Sequence, residues 1–233
     1  MIGALQLVES KTCADAHRQA VEGVLHRLKH NCTEKRQILL MISGGTNLSV
    51  AVQALSQLTE EELSHITVAQ VDEKYLPVGD PDSTWQQFIQ TFGGIESLAG
   101  TLPILHEGNS FSEAVNNYDL ELTTLIHESD YSLAMVGMMP DGGIGGMKPM
   151  SADKFQLFFN DDFVAGYKAD DYERITMTDY GLKVVHDIVV YACGPEKQEA
   201  LEKMKQHIPV HNHPAQLLKV YDRVTLYTSN TKK

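Results

Sequence analysis

Apolar positions along this chain follow two rhythms that take turns. Residues 4–8 read as a short strand, and residues 13–30 then place Ala20, Val21, Val24, Leu25 and Leu28 at helical spacing, one apolar face among polar neighbours. Residues 37–42 form a continuous apolar run ending at Ser43-Gly44-Gly45, the profile of a parallel strand buried on both faces and running into a turn. Leu48, Ala51, Val52, Leu55 and Leu58 mark the helix that follows. The alternation continues with a strand at 66–71, a helical face of Val115, Tyr118, Leu122, Leu125 and Ile126, and a buried strand at 131–138. Residues 187–193 and 224–228 are strand-like, and residues 195–206 read as a helix with Pro195 in its first turn. Strands and helices in this order predict an α/β fold, a mostly parallel sheet with helices on both faces. Ligands of such sheets bind beyond the carboxyl ends of the strands, which directs attention to the loops beginning at Ser43, Asp72, Met139 and Gly194.

Composition narrows the picture. With 233 residues, 42% of them hydrophobic, and no linker or internal repeat, the chain is expected to form one domain over residues 1–233. The longest apolar stretch, 38–42, is too short to span a bilayer, and residues 1–10 lack a basic segment followed by an apolar one, so no membrane partner and a cytoplasmic location are expected. Cys13, Cys32 and Cys193 are widely spaced and read as buried or idle thiols. A formal charge of −12 with no basic stripe argues against nucleic acid. If the ligand is itself an anion, the few cations of its pocket must act against the overall field.

Three loops carry candidate chemistry. Ser43, Gly44, Gly45, Thr46 and Asn47 join a buried strand to a helix, where backbone N–H groups and the helix dipole favour an anion. The segment lacks both the nucleotide-triphosphate and the dinucleotide glycine patterns, so neither cofactor is expected. A tight turn with a capping Thr or Asn accounts for it equally well. The second loop brings Asp72, Glu73 and Lys74 to a strand end, followed by Asp80-Pro81-Asp82-Ser83-Thr84-Trp85; unpaired carboxylates there suit proton transfer, and a solvated charged loop is the plain alternative. The third, residues 137–146, packs five glycines into ten residues, including Gly142 and Gly143 after Asp141. His207, His211 and His213 read as exposed loop histidines rather than metal ligands, because Pro209 interrupts them and no carboxylate completes a set. Met138, Met139 and Met147 read as packing.

Taken together and in order, these segments resemble the 6-phosphogluconolactonase and glucosamine-6-phosphate deaminase (isomerase) family. Its Ser-Gly-Gly-[Ser/Thr] loop corresponds to Ser43, Gly44, Gly45 and Thr46, its Asp-Glu-Arg and Asp-Ser-Asn-Tyr to 72–74 and 82–85, and its Gly-x-x-x-Asp-Gly-His to 137–143. Glu-Arg-[Val/Ile]-Thr falls at 173–176, Gly-x-x-Lys-x-x-Ala-Leu at 194–201, and Pro214-Ala215 precedes the last strand. The resemblance implies a Rossmann-like, three-layer α/β/α fold and a phosphorylated sugar as ligand. It implies a phosphate pocket of Ser43, Gly44, Gly45, Thr46, Arg174 and Lys197, acid–base work near Asp72 and Asp141, Glu73, Lys74, Gly142 and Gly143 elsewhere in the pocket, and no metal or cofactor. Two positions depart from the family: its His is Gly143 here, and the Arg of Asp-Glu-Arg is Lys74. The Asp-Pro-Asp-Ser stretch is closer to the lactonase branch, so the leading expectation is hydrolysis of a sugar-phosphate lactone. A sugar-phosphate-binding or regulatory protein without turnover, and an amino-sugar-phosphate deaminase or isomerase, are the alternatives.

Overall fold

Residues 4–229 are described by the structure, a computed structural model, and they alternate largely as the apolar pattern requires. Strand β1 (Ala4–Ser10) leads into α1 (Cys13–Thr33), and β2 (Ile38–Ile42) into α2 (Thr46–Leu55) and the single turn α3 (Glu60–Leu63). Next come β3 (Ile66–Gln70), β4 (Asp72–Lys74), α4 (Thr84–Phe92), β5 (Gly100–Leu102), α5 (Phe111–Glu128) and β6 (Tyr131–Met135). The last part holds α6 (Ala152–Phe155), β7 (Val164–Lys168), β8 (Glu173–Met177), α7 (Asp179–Lys183), β9 (Asp187–Tyr191), α8 (Gln198–Met204) and β10 (Arg223–Ser229). None of the described helices is long and apolar enough to cross a membrane.

Seven strands form one wholly parallel sheet in the order β1-β10-β9-β6-β2-β3-β5. Every residue of β2 and β6 is buried, as the unbroken apolar run of β2 demands; in β6 the buried set includes the polar Ser132. Alternate side chains serve opposite faces. Leu39 and Met41 join the core beneath α5, while Ile38, Leu40 and Ile42 join the core beneath α1, α2 and α4. Each such side chain contributes about 1.5–3 kcal/mol by leaving water. The helices close cleanly: Thr12 accepts from Asp15 N to begin α1, and Ser110 with Glu113 makes a capping box at α5.

From β2 the chain moves one way to β3, and it later returns on the other side as β6. The loops after β2 and β6 therefore diverge from neighbouring strands, and a cleft opens between them.

Five features differ from the sequence reading. A second sheet, antiparallel and ordered β4-β8-β7, covers part of one face, and Arg174 stands on it. The strand expected at 131–138 stops at Met135, and the helix expected at 195–206 splits into a 3-10 turn (Pro195–Lys197) and α8. Cys13 and Cys193 are joined in a disulfide across 180 residues, whereas idle thiols were expected; only the fold brings the start of α1 beside the end of β9. Cys32 is a buried thiol as expected, pushed up to about 11 by burial. Finally, His213 is buried rather than exposed, because the 3-10 turn beginning at Pro214 presses it against the glycine-rich loop.

Candidate active site

The loop after β2 is shaped by what its glycines lack. A Cβ on Gly44 would lie 2.7 Å from Thr84 Oγ1, so the missing side chain lets α4 approach. Gly45 has φ +64 and is the N-cap residue of α2, with no side-chain cap bond, so the first N–H groups of that helix remain available to an anion. Neither Thr46 nor Asn47 caps. Instead Asn47 is buried and spans to β9, its Oδ1 accepting from Tyr191 N (2.9 Å) and its Nδ2 donating to Tyr191 O (3.1 Å). The turn is thereby pinned to the strand that leads to Lys197.

The two adjacent carboxylates of β4 have opposite surroundings. Glu73 is buried and takes five hydrogen bonds, from Gln70 Nε2, Ser83 Oγ and Trp85 N on one oxygen and from Lys74 N and Thr84 N on the other, at 2.8–3.1 Å. It fastens the strand end to the start of α4 and is fully occupied in doing so. Asp72 is half-buried, its Oδ1 shut off from solvent without a hydrogen-bond partner. Burial pushes its carboxyl up to about 6; Ser43, Arg174 and Lys74 lie close enough to oppose that rise, but the Ser43 hydroxyl also lacks a partner at hydrogen-bond geometry. A carboxylate of this kind exchanges a proton near neutral pH.

Opposite Asp72 lies the glycine-rich turn. It is held by backbone bonds, Met139 N to Gly143 O (2.8 Å) and Gly145 N to Gly137 O (2.9 Å), with Gly142, Gly145 and Gly146 at positive φ. A Cβ on Gly146 would lie 2.7 Å from Asp72 Cβ, and one on Gly142 only 1.9 Å from the His213 ring. Asp141 is exposed and accepts from Gly143 N (2.9 Å). Gly143 is buried and outside the positive-φ region, but a Cβ there would meet Met139 Cε at 2.3 Å and Met147 O at 2.7 Å.

Three cations complete the cleft. Lys197 is half-buried and donates to Met138 O (2.6 Å); burial lowers its pKa, favouring the neutral amine relative to water. Arg174 grips Asp171 with Nη2 (2.8 Å) and Nε (3.3 Å), and Lys148 adds a third contact to the same carboxylate (3.3 Å). That pairing holds Asp171 far below the usual carboxylate range. Lys74 donates to Asp82 O and lies 5.0 Å over the Tyr172 ring.

Ser43, Gly44, Gly45, Thr46, Asp72, Glu73, Lys74, Arg174 and Lys197 all line one cavity of about 360 Å³. Asp141, Gly142 and Gly143 are not in its lining and form the turn behind Met138, Met139 and Gly146, which are. Sequence reasoning passed over Asn47 as more than a cap, Asp171 as the partner of Arg174, and Met139 as cavity wall. Only Asp171 left a local signal, its place three residues before Arg174. A second cavity, about 280 Å³, lies under α8 beside β1 and is walled by Leu5, Leu201 and Leu226; its lysines, Lys205 and Lys219, share the lining with Glu9 and Glu202, and Lys205 is paired with Glu202. Among the described residues no group of three or more His, Cys, Asp or Glu side chains is placed to hold a metal.

Comparison with known proteins agrees with this architecture. Residues 11–227 match the family model of glucosamine-6-phosphate isomerases and 6-phosphogluconolactonase. A 6-phosphogluconolactonase from Xylella fastidiosa (strain 9a5c) is 26% identical over 182 residues, covering 75% of this chain and 74% of its own. Among solved structures, a 6-phosphogluconolactonase from Shewanella baltica superposes with a TM-score of 0.81 at 16% identity, covering 98% of this chain and 99% of that one. A monomeric glucosamine-6-phosphate deaminase superposes at 0.78 with 17% identity, covering 97% and 98%. The long match to the family model, with the same fold, places the chain in the glucosamine-6-phosphate isomerase and 6-phosphogluconolactonase family.

Proposed function

We propose that this protein hydrolyses the lactone of a phosphorylated sugar acid, 6-phosphogluconolactone being the first substrate to try. The observation that carries the reading is the single cavity in which a desolvated carboxylate, Asp72, faces an anion cradle made by the start of α2, Lys197 and Arg174. The curated relatives bearing the name 6-phosphogluconolactonase support the lactone over other esters. The phosphate would rest on the N–H groups that open α2 and on the Lys197 ammonium, with Arg174 and Lys74 lining the same cavity. Asp72, ionised above about pH 6, would take a proton from water as it attacks the ring carbonyl, and would return one to the departing ring oxygen.

The family His has become Gly143, and the space where its side chain would begin is filled by Met139 Cε and Met147 O. This favours a slow lactonase, or a protein that binds without turnover, over a fully equipped enzyme. A turnover assay on freshly generated 6-phosphogluconolactone, beside calorimetry with its stable product 6-phosphogluconate, tests both. Hydrolysis above the spontaneous rate supports the enzyme, and tight product binding without hydrolysis supports the binding protein. Equal affinity for gluconate and 6-phosphogluconate would remove the phosphate cradle, and release of ammonia from glucosamine 6-phosphate would move the chain to the deaminase branch.

A further inference from the structure

The disulfide lies at the root of the segment that carries Lys197. Cys193 lies two residues past the end of β9, and only residues 194–196 separate it from Lys197. Those residues have little freedom. Gly194 sits at φ +115, Pro195 fixes the next φ, and Lys197 N closes the turn on Gly194 O at 3.1 Å. At the other end, Cys13 is the first residue of α1, a 21-residue helix whose inner face is buried in the core. The bond thus fixes the base of a short stiff arm to a rigid helix, and the tip of that arm is a cavity-lining cation.

We infer that the Cys13–Cys193 pair is a thiol-responsive modification site: the disulfide holds the Lys197 arm in its phosphate-binding position, and reduction by a dithiol releases the arm and weakens sugar-phosphate binding. The consequence for binding rests on the reading that Lys197 contacts the phosphate. Cys13 is half-buried whereas Cys193 is buried, so an incoming thiolate attacks Cys13 Sγ. The S–S bond breaks, Cys193 leaves as a thiolate, and a mixed disulfide forms on Cys13. The second thiol of the reductant resolves it. The protein gains two electrons and two protons as two thiols, and the dithiol becomes a disulfide. Ser229 Oγ, 3.0 Å from Cys193 Sγ and 3.3 Å from Cys13 Sγ, can donate its hydrogen to the departing thiolate. The effect of reduction stays local, because β9 remains pinned by the Asn47 pair to Tyr191 and by Ala192 N to Tyr227 O (3.0 Å).

The test uses the full chain with its native cysteines. Alkylation after denaturation, read by mass, should add one label to the oxidised protein, on Cys32, and three after treatment with dithiothreitol. Hydrogen exchange over residues 194–197 should then be faster in the reduced form, and calorimetry should show 6-phosphogluconate binding about fivefold or more weaker. Cys13→Ser should mimic the reduced form whether or not dithiol is present, and Cys32→Ser should keep the full response. Three labels even after mild oxidation, or identical exchange in both states, would overturn the switch. If neither state binds 6-phosphogluconate while exchange still responds, the switch stands and it is the proposed substrate that fails.

Discussion

The two sides of the cavity are built in opposite ways. On the cradle side, side chains do the holding: Asn47 clasps Tyr191, Glu73 gathers five donors, and Lys197 reaches Met138 O. On the other side the glycine turn is shaped by backbone bonds and by the absence of Cβ atoms at Gly142, Gly143 and Gly146. A site made of side chains can be altered one group at a time, with graded loss of binding. A site made of missing side chains resists change, because any added carbon meets a neighbour. Gly143, the position that the proposed reading matches to the family's His, lies on the second side, in a turn with no room for a larger side chain.

Asp72, which touches both sides, should show the largest effect. Asp72→Asn is expected to lower kcat about 10²–10⁴-fold while 6-phosphogluconate affinity, measured by calorimetry, stays near that of the parent. The parent rate should fall about tenfold per pH unit below about pH 6, where Asp72 takes up its proton. Stability should move the other way. The folded pKa of about 6 lies above the unfolded value of about 3.9, so the native state binds the extra proton between those limits and loses stability as pH rises through that window. Asn removes this loss, and urea unfolding should find the variant more stable at pH 7, on the order of 1 kcal/mol, with no gain at pH 3.

Changes on the glycine side should cost folding rather than binding. Gly142→Ala combines a positive φ with a collision on the His213 ring and is expected to destabilise by about 2–4 kcal/mol in urea melts. Gly143→His has an accessible φ but sets its Cβ 2.7 Å from Met147 O, so it should destabilise rather than create a fast lactonase. A Gly143→His protein that melts like the parent and hydrolyses faster would erase the contrast between the two sides.

On the cradle side, Lys197→Ala and Arg174→Ala should each weaken 6-phosphogluconate binding by at least about tenfold with little change in melting. The Arg174 effect should be the smaller, because Asp171 already occupies two of its donors. The smallest effect is that of salt. Raising ionic strength from about 0.1 to 0.5 M should loosen the complex only a few-fold, since these cations are partly buried and weakly screened. An affinity indifferent to both alanines and salt would mean that the phosphate sits elsewhere.

Much of this was legible along the chain. The apolar run of β2, the largely apolar β6 and the helical stripes of α1 and α5 follow from local pattern alone, because a residue's face within a strand or helix depends only on its position in the repeat. The turn that the proposed function uses as its cradle was legible for the same reason: a glycine turn after a buried strand places N–H groups at a helix start wherever the helix later packs. The antiparallel sheet was not, since β8 pairs with β4 a hundred residues earlier and its sequence bears no stamp of that partner.

The sequence by itself determined the parallel sheet, the strand-end loops and the residues worth suspecting in them. Tertiary structure decided how adjacent or identical groups came to differ. Glu73 is saturated with donors and Asp72 is left short of them, Cys13 and Cys193 are bonded while Cys32 is not, and His213 is buried behind a glycine that gives it room. Each outcome depends on desolvation and on neighbours supplied by distant parts of the chain, and those are properties of the packed molecule that no local window contains.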